Sequence, residues 1–286
     1  MTATTLTPAA PARRRGIHRR LGTGGTISAL ILTFVVLVAV LGPLLVGPQA
    51  NQLNLSDAYA APSSQYWLGQ DSSGRDIFGR LVLGARTSLI GPITVVLIAT
   101  LLGTVLALTA VWFRGWVDGL IVRVLDAIFA FPGLLLAILA TALFGAGLSA
   151  AVVALAIAYT PYIARIIRSA ALQERNLPYI AALQVQGVRG LWVCLRHLLP
   201  NISSHILANG TLAFGLVLID LSGLSFIGLG VQPPTPDWGA MVGDGMPGIF
   251  QAYPAESLAA GAAIVVTVAA ASILGDRLIE SAEDAS

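Results

Sequence analysis

Cys194, His197 and His205 fall within twelve residues of one another and come nearest, of all the side chains here, to a metal-ligand pattern. A metal site draws on clustered His, Cys or carboxylate groups. Two histidines eight residues apart with only Cys194 near them do not make one. Nucleotide chemistry fails on composition, because a phosphate-binding P-loop needs its lysine and all 16 basic residues are arginine. Neither a Gly-x-Ser-x-Gly elbow nor a His-Glu-x-x-His pair occurs. With one cysteine no intrachain disulfide can form. The expectation is a chain without catalytic residues, metal or cofactor of its own. One ionisable group stands out by its surroundings: Asp220, followed by Ser222 and Ser225, lies inside an apolar run. A carboxylate in hydrocarbon costs about 2.5–3.5 kcal/mol unless it faces protein or water. Asp220 is therefore expected to face a translocation path or a neighbouring subunit, with a purely structural hydrogen bond as the alternative.

The elements that must position these residues are set by lipid. Of the 286 residues 56% are hydrophobic and 10% charged, with a mean hydropathy of +0.82, against about 25% charged in soluble domains. Scanning for apolar runs of about 20 residues gives six spans, Thr26 to Val46, Leu89 to Phe113, Ala127 to Phe144, Leu148 to Ile167, Ile206 to Leu229 and Ala255 to Leu274. The expected fold is all-α, a polytopic membrane protein with six transmembrane helices. The first run follows five arginines but is long for a signal core and lacks a small-residue cleavage site, so it reads as a retained anchor. With the amino end inside, 13 arginines fall on inner segments and 3 (Arg75, Arg80, Arg86) on outer ones. That bias places the chain in the cytoplasmic membrane with both termini cytoplasmic. Three regions result: a basic cytoplasmic tail over 1–25, the first span and an outer segment over 26–86, and a five-helix core over 87–286. The core carries its longest cytoplasmic connection at 170–204. The surroundings are lipid and protein, with no nucleic acid.

Two connections have internal pattern. In the outer segment, Asp71 with Arg75 and Asp76 with Arg80 are acid-then-base pairs four apart, which suits a short helix. Its apolar residues Ile77, Phe78, Leu81 and Val82 fall on one face, fit for a headgroup anchor or an outside partner. In the cytoplasmic connection, Asn176 and Pro178 suit a cap and first turn, Tyr179 to Gln186 a short helix, and Gly187 its break. Val188 to Leu199 suits a second helix, ended by Pro200. The result is a compact knob. Ala181, Ala182 and the backbone at Gly187 offer a small-residue surface for another protein, while Trp192 and the arginines would equally suit the inner headgroups.

Three stretches resemble one family. "YIAALQVQG", with the proline of "RHLLPN" thirteen residues after its glycine, is similar to the EAA loop of permeases in binding-protein-dependent ABC importers. "WLGQDSSGRDIFGRLVLGARTSL" and "LSGLSFIGLGVQPPTPDWGAM" resemble the C-type permease of dipeptide and oligopeptide importers. The resemblance implies the type I ABC importer permease fold and a subunit that forms the path with a homologous second permease. It further implies two ATPase subunits that bind ATP and Mg, and an extracytoplasmic substrate-binding protein. Carried onto this sequence, the ATPase-coupling residues are Ala181, Ala182, Gly187, Val188, Arg189, His197 and Pro200. The family's glutamate falls at Ala181 and its two alanines at Ala182 and Leu183, so one of the three is kept. Two rivals are weaker. An ATP-independent secondary transporter needs functional ionisable groups in its spans, and Asp220 is alone, about 22 Å along a helix from His205 at 1.5 Å per residue. A membrane-embedded enzyme lacks a nucleophile and base at recognisable spacing.

Overall fold

The computed structural model describes residues 17–283. Among them are helices and short turns, with one isolated bridge between Gln70 and Asp76. Of the basic tail over 1–25, residues 1–16, with Arg13, Arg14 and Arg15, lie outside the described residues, and the remainder, with Arg19 and Arg20, is the start of a helix. The long helices are α1 (Ile17–Leu45), α2 (Ile77–Phe113), α5 (Leu148–Arg175), α8 (Leu199–Phe226) and α11 (Ala255–Glu283). Shorter ones are α3 (Gly115–Phe129), α4 (Gly133–Phe144), α6 (Pro178–Val185), α7 (Gly190–Val193), α9 (Trp238–Asp244) and α10 (Met246–Phe250). Among the described residues five helices are long and apolar enough to cross a membrane, and six spans result if the bent pair α3 and α4 counts as one.

The centre of the bundle is the α2–α5 contact, where small residues recur every three to four positions. Ala99, Gly103, Ala107 and Ala110 of α2 are buried, as are Ala156, Thr160, Ala164 and Ala171 of α5. A Cβ on Gly103 would lie 3.0 Å from the Ala164 nitrogen, so the backbones approach closely. In lipid that is how helices associate, because dispersion between close backbones replaces the missing hydrophobic drive. α1 lies at the periphery: its apolar span begins at Gly22, where a left-handed φ of 63° bends the helix. It touches α2 through Gly42, whose Cβ would meet Val82 Cγ1 at 2.7 Å.

Three expectations need correction. First, the outer segment holds no separate α-helix around Asp71 to Arg80; before α2 it has only the 3-10 turns Pro48–Asn51 and Leu55–Asp57. Asp76 is the N-cap of α2, accepting from Phe78 N at 3.1 Å, so Ile77 to Val82 are the opening turns of a 37-residue helix that begins twelve residues before Leu89. Asp76 does not pair with Arg80. Second, the run from Ala127 to Phe144 is broken. α3 and α4 meet at 76°, because Pro132 lacks an N–H and its ring biases Phe131 away from the helical region. α4, with 12 residues, is about 18 Å long. Third, Pro200 does not end the second helix of the knob. α7 runs through a π turn, Cys194–Leu198, straight into α8 with Pro200 in its first turn. The Leu199 N–H donates to Cys194 O, five residues back. That widened turn accommodates the proline's missing donor and bulky ring.

Candidate functional site

The connection between α5 and α8 folds as a hairpin with a fixed root and a bare tip. α6 starts with Pro178 at its first turn and ends in two cross-bonds, Gly187 N to Gln184 O at 3.0 Å and Val188 N to Leu183 O at 3.1 Å. This is the Schellman closure, and it needs the positive φ of 75° that Gly187 supplies. Nothing lies within 4 Å of a Cβ placed there, so the glycine serves backbone conformation and leaves its surroundings open. Asn176 does not cap α6, whose N-cap is Leu177; it stands at the C-cap of α5 and accepts a hydrogen bond from Arg114 Nη2 at 3.0 Å.

Ile180, Val193 and Leu198 are the plug, fully buried in one cluster with Leu108 and Val111 of α2 and Ile167 and Ala171 of α5. Gly190 explains the second glycine: its Cβ would fall 2.1 Å from the Trp112 ring. That ring also lies under the Arg175 guanidinium, 5.2 Å from the centroid and donating to Val111 O. Polar stitching completes the root. The Tyr179 hydroxyl donates to Glu174, and Asn201 Nδ2 donates to Glu174 Oε1 at 2.7 Å. Burial, then the bond to Glu174, push the Tyr179 phenol up to about 12.

Of the sequence-predicted coupling residues, Ala181, Ala182, Gly187 and Arg189 are exposed and gathered at the tip, with Val188 half-buried beside them. His197 is half-buried with its ring centroid 6.3 Å from that of Tyr179, and Pro200 is exposed where α8 begins. The sequence reading missed the most exposed apolar residues of the knob, Val185 at 90% and Leu191 at 72%. Their signal was present: an aliphatic residue just before the glycine turn and one just after it. Cys194 is buried, and no group of three or more metal-ligating side chains occurs among the described residues.

Asp220 is half-buried on α8 and accepts from Tyr159 Oη of α5 at 2.9 Å, with Tyr162 edge-on to Tyr159 at 6.5 Å. Ser222 and Ser225 do not join it. Two and five residues along a helix turn roughly 200° and 140° away, and both serines serve the outer end. The Ser222 backbone lies against Gly239, whose Cβ would be 2.4 Å from Ser222 O, and the buried Ser225 Oγ accepts from Val231 N at 3.2 Å.

That outer end is a cap of buried polar groups. Asp71 Oδ2 accepts from Arg75 Nε at 2.6 Å and from Arg80 Nη1 at 2.5 Å, with Asp244 and Glu256 completing the network. Asp237 caps α9 through Ala240 N at 3.2 Å and accepts from Ser88 Oγ at 2.7 Å, while that same oxygen accepts from Trp238 N at 2.8 Å. Burial raises the Asp237 pKa, and the Ser88 bond and backbone N–H groups oppose it. Lower down, α3 is tied to α5 by two ion pairs, Asp118 with Arg168 and Asp126 with Arg165, each at 2.7 Å.

The molecule is thus a multi-span helical bundle with a structured hairpin between α5 and α8. The match over residues 99–283 to the family of binding-protein-dependent transport system inner membrane components is specific, and the chain belongs to that family. It is 42% identical over 217 residues to a glutathione transport system permease protein of Pectobacterium atrosepticum, covering 76% of this chain and 72% of that one. It is 36% identical over 252 residues to a dipeptide transport system permease protein of Alkalihalophilus pseudofirmus, covering 88% and 83%. A glutathione transport system permease protein of Escherichia coli is 37% identical over the same length. The chain is thus a permease of an ABC importer with the type I fold, and the secondary-transporter alternative falls away.

Proposed function

We propose that this permease carries dipeptides, oligopeptides or peptide-like thiols such as glutathione, and that it is driven through the 178–201 hairpin by two ATPase subunits. Those subunits bind ATP and Mg; this chain binds neither. It pairs with a homologous second permease to enclose the path, receives its solute from an extracytoplasmic binding protein, and keeps both termini in the cytoplasm. Asp220 faces the path or the second permease. The observation that carries the coupling reading is the knob: its root is plugged by Ile180, Val193 and Leu198, while its tip exposes Val185, Leu191 and the open side of Gly187. A rigid root lets force applied at the tip reach α5 and α8. Moving a 1:99 equilibrium between two packings to 99:1 takes about 5.5 kcal/mol of differential binding, which ATP held between two subunits can supply.

The test is Gly187→Trp together with a cross-link. A side chain at that left-handed position costs about 1–3 kcal/mol. The expected result is a permease that inserts and pairs but loses ATP-driven uptake. Val185→Cys in a Cys194→Ser background should cross-link to a cysteine on the ATPase, with a yield that changes on ATP addition. Normal uptake by Gly187→Trp with no cross-link in any nucleotide state would assign the knob to the membrane surface instead.

A further inference from the structure

Asp220 carries a charge that nothing else in the described chain answers. Its Oδ2 accepts from Tyr159 Oη at 2.9 Å, a neutral donor, and no other hydrogen bond or ion pair reaches the carboxylate among the described residues. Other acids of the bundle are answered. Asp71 and Glu256 lie 2.5 and 3.8 Å from Arg80, Asp118 lies 2.7 Å from Arg168, and Asp237 collects the Ser88 hydroxyl and the Ala240 N–H. An acid inside a span is kept where it meets protein charge, water or cargo, because hydrocarbon does not solvate a carboxylate. At 1.5 Å per residue Asp220 stands about 9 Å from the end of α8 at Phe226. A solute arriving at the outer end would meet it early.

The side of α8 that carries Asp220 is open. Leu216, one turn before it, is 48% exposed, and Ile227, two turns after it, is 52% exposed. Gly223, three residues on and so on the same side, has nothing within 4 Å of where a Cβ would stand. Tyr159 is half-buried, and Tyr162 stands edge-on to it with 6.5 Å between the ring centroids. A carboxylate beside two aromatic rings is a set that holds an ammonium: the acid through charge-assisted hydrogen bonds, the rings through their negative faces. The bond from Tyr159 to Asp220 also ties α5 to α8, the two helices that run into the root of the knob. A cation bound there rests on the elements that the knob would move.

We propose that Asp220, with Tyr159 and Tyr162, is a subsite for the free amino-terminal ammonium of the solute on its way through the path. Dipeptides, oligopeptides and glutathione share that group whatever their side chains, so one carboxylate serves the whole class. The competing occupant is a cation of the second permease. When α5 and α8 move against that subunit, a permanent ion pair between the two would be separated, which strands a charge. A solute instead brings its ammonium and carries it away, and the open space beside Gly223 gives it room. The inference rests on the solute class and the path reading above.

The experiment uses the assembled transporter with its binding protein in proteoliposomes, alanyl-alanine and glutathione as probes, and a water-soluble carbodiimide. That reagent activates a carboxylate as the O-acylisourea, which a neighbouring amine converts to an amide with release of the urea. During ATP-driven turnover the wild type should acquire a probe joined by an amide to Asp220, read as a mass shift on the fragment that contains it. N-acetylated alanyl-alanine should give no such adduct. Asp220→Asn keeps an acceptor for Tyr159 and removes the charge. It should co-purify with its partners in wild-type amounts and lower the uptake rate at least tenfold, and Asp220→Glu should restore most of that rate. Wild-type uptake by Asp220→Asn would overturn the proposal, as would the absence of any adduct at Asp220 in a transporter that is turning over. Loss of the second permease on purification of Asp220→Asn, with no adduct in the wild type, would overturn it too and assign the acid to the subunit interface. Uptake of neither probe by the wild type would instead sink the solute reading itself.

Discussion

The two ends of the bundle are held by different physics. At the outer end, α9 is clamped through buried charge and backbone contact: Asp71 and Arg80 are 1% and 2% exposed, and Gly239 and Gly243 let α9 lie directly on the Ser222 and Phe226 carbonyls. At the opposite end the knob is plugged by three aliphatic side chains, and its polar bonds, Tyr179 and Asn201 to Glu174, sit at the edge of that plug. A buried charge pair tolerates little displacement, because separating it strands a charge in low dielectric. An aliphatic plug strands no charge when it moves, and its close packing carries the knob together with α2, α5 and α8. The cap is suited to hold one arrangement, and the root of the knob to move as one packed body.

The sharpest way to break that contrast is Arg80→Ala. Removing one member of a buried pair should cost about 3–5 kcal/mol, read as a large loss of resistance to denaturant in detergent micelles. A loss below about 1 kcal/mol would mean that water reaches the cap and that the outer end is no more rigid than the inner. Next comes a pair of glycine substitutions. At Gly239 an added methyl meets backbone, Ser222 O at 2.4 Å, whereas at Gly190 it meets the Trp112 side chain at 2.1 Å. Overpacking costs about 1–3 kcal/mol. Gly239→Ala should fall at the upper end, with α9 displaced, and Gly190→Ala at the lower end, because the Trp112 ring can swing where a carbonyl cannot. The reverse order in thermal melts would remove the distinction between clamp and plug.

The smallest effect is expected from Tyr179→Phe, which deletes two hydrogen bonds, the one donated to Glu174 and the one accepted from Asn201 Nδ2 at 3.0 Å, at the solvent edge of the root where each is worth about 0.5 kcal/mol. It carries a pH signature. The folded-state phenol has its pKa raised to about 12, above the unfolded value of about 10. Its stabilisation is therefore fully present below about pH 10 and is lost as pH rises through about 12. Wild type should lose that increment over this window and Tyr179→Phe should not, so the two unfolding curves converge at high pH. Parallel curves would show that the Tyr179 to Glu174 bond contributes nothing to the root.

Parts of this were legible before any coordinates. Gly187 was readable as a turn because a glycine eight residues after a tyrosine-led helical start has few other uses, and the backbone there does adopt the left-handed conformation. Pro200 was misread because a proline's local rule, that it stops a helix, assumes a regular ladder upstream. The π turn at Cys194–Leu198 supplies an extra residue that lets α8 continue. Asp71 and Arg75 do pair, though in a turn rather than a helix, while Arg80 crosses to Asp71 because Asp76 is occupied as a cap.

What the amino-acid sequence determined by itself was the solvent, the long apolar helices and the knob's turn, all of which follow from short-range facts: hydropathy summed over about 20 residues and the freedom of a glycine without a Cβ. What the tertiary structure alone decided was pairing. Tyr159 finds Asp220 from 61 positions away, Ser88 finds Asp237 across 149, and Trp112 seats itself on Gly190. The physical reason is range: a helix forms from bonds four residues apart, whereas a buried polar or aromatic group is satisfied by whatever the packing of distant helices brings within about 3–5 Å, and no local pattern encodes that neighbour.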